Sequence, residues 1–458
     1  MFRAQRWGAY RGLLLAALCS CASPERDDPT AAHDAARAGM QDGSLDAGRR
    51  GDHDAGPSVA QDSGLPPFEL DASAIPLLPV EQDGLPVLQL WTAPEINDDA
   101  YSPAHLIADG HQYAAVQAKY RGKTALRFPK KSFTVKLAKH DLFNDSAHDF
   151  LDKRRLVLTA SFDDNSHLRA RLAFELWNRL QPRIQVQTYH AVVFLNGQYQ
   201  GLYLVCDHVD DELMEAHDLW PGGNLYKART HDANLRLVDR AGDPKVSLDL
   251  GYTKEEGTPA AELPGAFDDL AELITWVATA PDAQLVAELD ATLDRADFES
   301  WYLLVSTIDA ADSAGKNGYL YHDPRAGAPD PLWHYVPWDF NSSLGQDWRT
   351  RHTASDTALE RYAPKNALFE RFAAVPELAE RITKRFEAAF EHAWALPEIL
   401  ALVDAWGAEI GAAARRDEQS WGESIRGYDW GSDKLEFTSF DQELVYLRAW
   451  IEARWNHA

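Results

Sequence analysis

Asp312, Asn317 and Asp339 are the chain's most pointed chemical arrangement: an acid, an amide five positions on, and a second acid in Val336-Pro337-Trp338-Asp339-Phe340-Asn341. Carboxylate and amide oxygens are hard donors suited to Mg2+ or Mn2+. Asp-x-x-x-x-Asn followed by a later Asp is a spacing that can hold a metal-bound nucleotide phosphate beside a base. Asp312 would then receive a hydroxyl proton, while Asn317 and Asp339 would hold the metal. The strand-like segments 319–322 and 332–336 flank the turn sequence Asp323-Pro324-Arg325-Ala326-Gly327 and predict a β-hairpin with both acids at one end. Asp and Asn also populate ordinary turns and caps, and Asp309 is a rival for the catalytic position. The spacing therefore needs support from elsewhere in the chain.

A cationic segment supplies it. The 458 residues carry 71 Asp plus Glu against 45 Lys plus Arg, a formal charge of −26. Yet residues 110–140 contain no acid and hold Lys119, Arg121, Lys123, Arg127, Lys130, Lys131, Lys136 and Lys139. Such a segment concentrates a small polyanion, while the acidic remainder repels a long nucleic acid. Segments 113–120 and 132–137 predict strands joined by the basic loop, as in the nucleotide-covering part of a kinase amino-terminal lobe. An edge strand guarded by lysines is the plainer alternative. Lys131 and Lys136 are the candidates to reach the cleft containing Asp339, and that contact is the condition for a shared triphosphate site. Gly122-Lys123-Thr124 is no P-loop, since position 117 is Gln117 and a strand follows where a helix is required.

The elements that must position these groups are legible. Asp163-Asp164-Asn165-Ser166 offers amino-terminal caps for a helix to about Leu180, striped by Leu168, Leu172, Leu176 and Leu180. Glu175 stands at the stripe's edge, where Lys131 or Lys136 could pair with it; a surface role is the alternative. Segments 190–195 and 198–205 predict a hairpin around Asn196-Gly197. Helical periodicity follows over 267–280, 283–293, 298–308, 366–374, 377–393, 397–415 and 442–456, with 228–264 read as a polar excursion.

These residues resemble the spore coat protein H (CotH) kinase family. The likeness is carried by Tyr120-Arg121-Gly122, Phe128-Pro129-Lys130-Lys131-Ser132-Phe133, and Phe194-Leu195-Asn196-Gly197-Gln198-Tyr199-Gln200-Gly201-Leu202-Tyr203. It continues in Asn224-Leu225-Tyr226-Lys227, Lys316-Asn317-Gly318-Tyr319-Leu320-Tyr321 and Pro337-Trp338-Asp339. The resemblance covers about residues 85–458. It implies an α+β, atypical protein-kinase-like fold of two lobes, with a mixed or antiparallel sheet in the first (about 85–230) and helices in the second (about 265–458). It further implies ATP with Mg2+ or Mn2+, phosphorylation of protein serines, Asp312 as catalytic aspartate, Asn317 and Asp339 as metal-binding residues, and Lys131 and Lys227 as nucleotide contacts, to which the basic segment and the helix add Arg121, Lys136 and Glu175 as candidates. Similar chains commonly carry an acid two residues after the metal-binding aspartate, where this one has Asn341.

The amino-terminal residues 1–20 read as an export signal. Arg3, Arg6 and Arg11 precede an apolar run, and Leu18-Cys19-Ser20-Cys21 resembles a lipobox with Cys21 as the lipidated residue. Residues 21–80 are an Ala/Asp/Gly/Pro-rich linker unable to bury a core. Beyond the anchor only Cys206 remains, so no disulfide is expected, but 15 Trp, 16 Tyr and 18 Phe can build large cores without one. No His-x-x-x-His pair, cysteine cluster or Gly-x-Ser-x-Gly elbow occurs, which disfavours zinc and serine hydrolases. A glycosidase would leave the basic segment unexplained. The expectation is a lipid-anchored envelope protein that phosphorylates a basic, Ser-rich protein. The alternatives are a kinase-like binding module without turnover, or transfer of another group.

Overall fold

The computed structural model describes residues 79–458 apart from 94, 431–435 and 437. The export signal, Cys21 and nearly all of the linker lie outside the described residues.

Among the described residues there are fourteen strands: β1 Glu81–Gln82, β2 Leu85–Trp91, β3 Ser102–Ala108, β4 His111–Arg121, β5 Ser132–Lys136, β6 Phe143–Asp145, β7 Phe150–Lys153, β8 Arg155–Thr159, β9 Thr188–Leu195, β10 Gln198–Asp207, β11 Asn224–Ala228, β12 Tyr252–Glu256, β13 Gly318–His322 and β14 His334–Pro337. The α-helices are α1 Arg169–Arg179, α2 Asp211–Ala216, α3 Asp268–Thr279, α4 Asp282–Thr292, α5 Arg295–Ile308, α6 Ala367–Ala374, α7 Pro376–Ala388, α8 Leu396–Gly427 and α9 Phe440–His457.

The α+β class is as the sequence implies, but the first sheet closes on itself. Its order is β2-β3-β4-β5-β8-β10-β9, and β9 returns to pair with β2 in parallel, giving a seven-stranded barrel. Alternation decides which side chains fill it. Along β10, Tyr203 and Val205 point into the barrel core with Val116, Val135 and Leu156, whereas Leu202, Leu204 and Cys206 pack outward against the helical core. The Asn196-Gly197 turn has φ of 49° and 74°, the left-handed pair that a tight hairpin needs.

Helices α1, α8 and α9 belong to the outer core. α1 begins later than its cap-rich sequence suggests, because Asp164 Oδ2 accepts from the Arg169 N–H at 3.1 Å. A second sheet, ordered β12-β11-β13-β14, contains the predicted hairpin. β12 falls inside the stretch read as a polar excursion. Trp301 of α5 stacks on Tyr335 of β14 at 4.1 Å and seats the hairpin on the helices.

One buried ion pair ties the basic loop to the helices. Lys130 is not a solvated cation: its Nζ donates to Asp417 Oδ1 and to the Leu202 carbonyl, both at 2.7 Å, and the pair is all but inaccessible to solvent. The Leu202 N–H donates to the same Asp417 oxygen at 2.8 Å. Gly201, at φ 118°, makes room, since a Cβ there would meet Asp417 Oδ1 at 2.0 Å. Removing one member of such a pair strands a buried charge. Asp417→Ala is expected to lower the unfolding free energy by about 3–5 kcal/mol in urea denaturation, and Lys130→Met combined with Asp417→Leu by clearly less.

Candidate active site

The hairpin does what its spacing predicts for geometry. Asn317 immediately precedes β13 and Asp339 follows β14 by two residues, with Gly318 opposite Pro337. The Trp338 N–H donates to the Asn317 carbonyl at 3.1 Å, and Asn317 Nδ2 lies 3.5 Å from the Asp339 carbonyl. Both Asn317 and Asp339 have φ 61°. Asn and Asp adopt this left-handed backbone more readily than other residues with a side chain.

Asp339 is solvent-accessible, and its carboxylate makes no hydrogen bond or contact ion pair among the described residues. The surrounding protein nevertheless displaces enough water to push this carboxyl up; Lys316 opposes the rise, Asp312 adds to it, and Arg121 and Lys227 also oppose it. Three cations thus act on Asp339 from beyond contact distance. Arg121, the last residue of β4, lies over the Trp338 ring at 5.3 Å. Its buried Nη1 has no hydrogen-bond partner among the described residues. Lys227 comes from β11 opposite Tyr319.

Asp312 is held from both sides. Lys316 Nζ sits 3.0 Å from Oδ2 and His231 Nε2 3.5 Å from Oδ1. Burial would raise this carboxyl, but the His231 hydrogen bond and the Lys316 charge outweigh it and hold the group below the usual carboxylate range. The rival Asp309 is consumed structurally. It accepts from Tyr362 Oη at 2.8 Å, pairs with Arg361 at 3.3 Å and caps α5 with φ 54°.

Other expected residues lie elsewhere. Lys131 donates to the Leu126 carbonyl at 2.5 Å and braces its own loop. Lys136 is at the opposite end of β5 from Ser132, paired with Arg155, and feels Arg154, Arg155, Glu212 and Asp211. Glu175 pairs with neither lysine: one helical turn on, Arg179 takes it at 2.7 Å and also reaches Glu398 at 3.0 Å, joining α1 to α8. An i,i+4 arginine was the nearer partner all along. The expectation that Lys131 and Lys136 reach the cleft of Asp339 is therefore not met; from the basic segment it is Arg121 that comes near, over the ring of Trp338.

Sequence reasoning missed Lys316, His231 and Asp163. Lys316 could have been found, since it directly precedes Asn317. Asp163 reads locally as a helix cap, yet its Oδ2 accepts from Asn341 Nδ2 at 2.5 Å. Burial and the Asp339 charge push the Asp163 carboxyl up to about 7. Its loop is fixed by Arg169, fully buried between Asp164 (2.6 Å) and Glu443 (2.5 Å).

A second group of metal-type atoms, from Asp294, Asp297 and His334, lies within 4.8 Å at the far end of β14. Here Asp297 Oδ1 already accepts from the Arg183 N–H at 2.8 Å and Oδ2 from His334 Nδ1 at 2.9 Å. That network seats α5 on the sheet. The donors at Asp339 fit a hard divalent cation and a phosphate better: oxygen ligands without protein partners, and an orphaned guanidinium nitrogen beside them.

The CotH kinase protein family matches residues 118–457. The chain is also 27% identical over 286 residues to the inner spore coat protein H of Bacillus subtilis (strain 168), covering 60% of this chain and 73% of that one. The family match places the chain in a kinase-like class of proteins. This chain belongs to the CotH kinase family.

The network that fixes the Asp163 loop is pH-sensitive. Burial would raise Glu443, but the His352 hydrogen bond and the Arg169 charge bring it down to about 2. A folded-state value below the unfolded one of about 4.3 stabilises fully above that pH and is lost as pH falls toward 2. Wild type should lose about 3 kcal/mol over that interval from this group. Glu443→Gln should be less stable at pH 7 and show a shallower acid limb in pH-dependent urea denaturation.

Proposed function

We propose that this protein is an atypical kinase that transfers the γ-phosphoryl group of ATP to Ser or Thr of a protein, using Mg2+ or Mn2+. The barrel would serve as the smaller lobe and the second sheet with its helices as the larger, in the manner of a protein kinase. One observation carries the reading: Asp312, Asn317 and Asp339 gather at one hairpin end with Arg121, Lys227 and Lys316 around Asp339.

Asn317 and Asp339 would hold the cation, and Arg121 would bond the phosphate through its unpartnered nitrogen. When bound, the cation neutralises phosphate charge and aligns the phosphoryl group for attack. Asp312, kept ionised by His231 and Lys316, would orient the substrate hydroxyl and receive its proton. Lys316 and Lys227 would stabilise negative charge on the phosphoryl oxygens. The formal charge of −26 favours a basic, Ser-rich protein substrate.

Lipidation at Cys21 would tether the catalytic part to the bacterial envelope. No helix among the described residues is long and apolar enough to cross a membrane. A second reading, a kinase-like binding module without turnover, draws on Asn341, whose amide is engaged with Asp163.

Incubation of the mature chain with radiolabelled ATP, Mn2+ and a basic protein separates the two. The kinase reading expects incorporation that falls at least about 10³-fold in Asp312→Ala and Asp339→Ala. Thermal stabilisation by nucleotide with no label in any sample would establish the binding module instead.

A further inference from the structure

The Asp163 side chain has no part in the reading above, and its placement asks for one. It comes from a separate segment, the loop before α1, and the amide of Asn341, two residues after Asp339, holds its Oδ2 at 2.5 Å. Gln346 Nε2 then locks the two segments together, donating to the Asp163 carbonyl at 2.6 Å and lying 3.2 Å from the Asn341 carbonyl. Behind them, Asp164 is clamped by the buried Arg169. The Asp163 carboxylate is thus carried on a braced corner against Asn341, two residues from Asp339.

The charges that bear most on Asp163 are Asp339 and Asp164, both negative. The cations Lys316, Arg121 and Lys227 act on Asp339. Two carboxylates brought together without a contacting cation repel, and a neutral side chain at 163 could satisfy the Asn341 amide equally well. A hard divalent cation removes the repulsion and uses the oxygens on offer.

We propose that Asp163 is a direct ligand of the divalent cation, sharing it with Asp339 and Asn317, and that Asn341 serves as the positioning residue that aims it. The inference rests on the metal-binding reading of Asp339. Asn341 is then no defect: position 341 supplies an amide and position 163 the second carboxylate. Oxygen donors from three chain segments suit Mg2+ or Mn2+ and disfavour softer metals that prefer imidazole or thiolate.

The test is Mn2+ binding to the full chain, read by electron paramagnetic resonance of free Mn2+ and by the melting temperature, with and without a non-hydrolysable ATP analogue. Neither readout needs turnover. Asp163→Asn and Asp339→Asn should each weaken Mn2+ binding at least about tenfold. The swap Asp163→Asn with Asn341→Asp, which reverses the hydrogen-bonded pair, should recover most of it. If Asp163→Asn folds poorly without metal, the swap decides: tight Mn2+ binding supports the shared site, and binding as weak as in Asp339→Asn overturns it. Wild-type affinity in Asp163→Asn alongside loss in Asp339→Asn overturns the role of Asp163 and leaves the site reading intact. Wild-type affinity in Asp339→Asn removes the site reading, and this inference with it.

Discussion

The guanidinium of Arg169 is the constraint through which fold and site are joined. It is completely buried, with Asp164 on one nitrogen and Glu443 on another. Glu443 in turn accepts from His352 at 3.1 Å and from Thr438 at 2.6 Å. A charge in the interior is tolerated only when its partners are fixed. The entry to α1, the start of α9 and the segment after Asp339 must therefore hold one arrangement together. Asp163 is the residue next to Asp164, so the acid beside Asp339 inherits this rigidity. Local geometry at the site is imposed by a network some residues away, as precise placement of ligands requires.

A parallel device fixes the cationic side. Closing a sheet into a barrel removes its edges, but the loop between β4 and β5 still has to be placed. The Lys130–Asp417 pair draws that loop onto α8, while Phe128 packs with Phe162, Ile425 and Trp430. Arg121 stands at the other end of the same loop, over Trp338. The basic segment thus divides its labour. Lys130 is structural, Lys131 braces the loop, Lys136 lies by the acids after β10, and Arg121 lies over Trp338, the residue before Asp339. Charge counted along a sequence locates the segment but does not distribute it, because alternating strand positions send neighbouring cations to different environments.

The same distinction explains what could be read from the chain. The hairpin, the Asn-Gly turn and most helices follow from local periodicity, and the Asp312, Asn317 and Asp339 spacing is short enough for local geometry to set it. Barrel closure is not local, since Val87 pairs with Val192 across a hundred residues of chain. Glu175 takes Arg179, four residues along the same helix, in place of a lysine from the distant basic segment, as its position at the helix margin allows. Asp163 was invisible for a different reason. Its sequence neighbours make it a cap, and only the fold brings it to Asn341.

Site charge must be considered with and without a ligand. Burial and the Asp312 charge push the Asp339 carboxyl up, Arg121 keeps a buried nitrogen without a partner among the described residues, and two residues hold left-handed backbone. Each of these features costs stability in the isolated chain. Asn and Asp accept such backbone more readily than other residues with a side chain, which limits the cost but does not remove it. A phosphate beside Arg121 and a cation beside Asp339 would relieve these features together, since each supplies the charge the other lacks. Binding of both is therefore expected to be mutually reinforcing, with coupling that arises from one shared cleft and requires no movement of the frame. The rigid networks at Arg169 and Lys130 make that possible by holding the unsatisfied groups in place before anything binds.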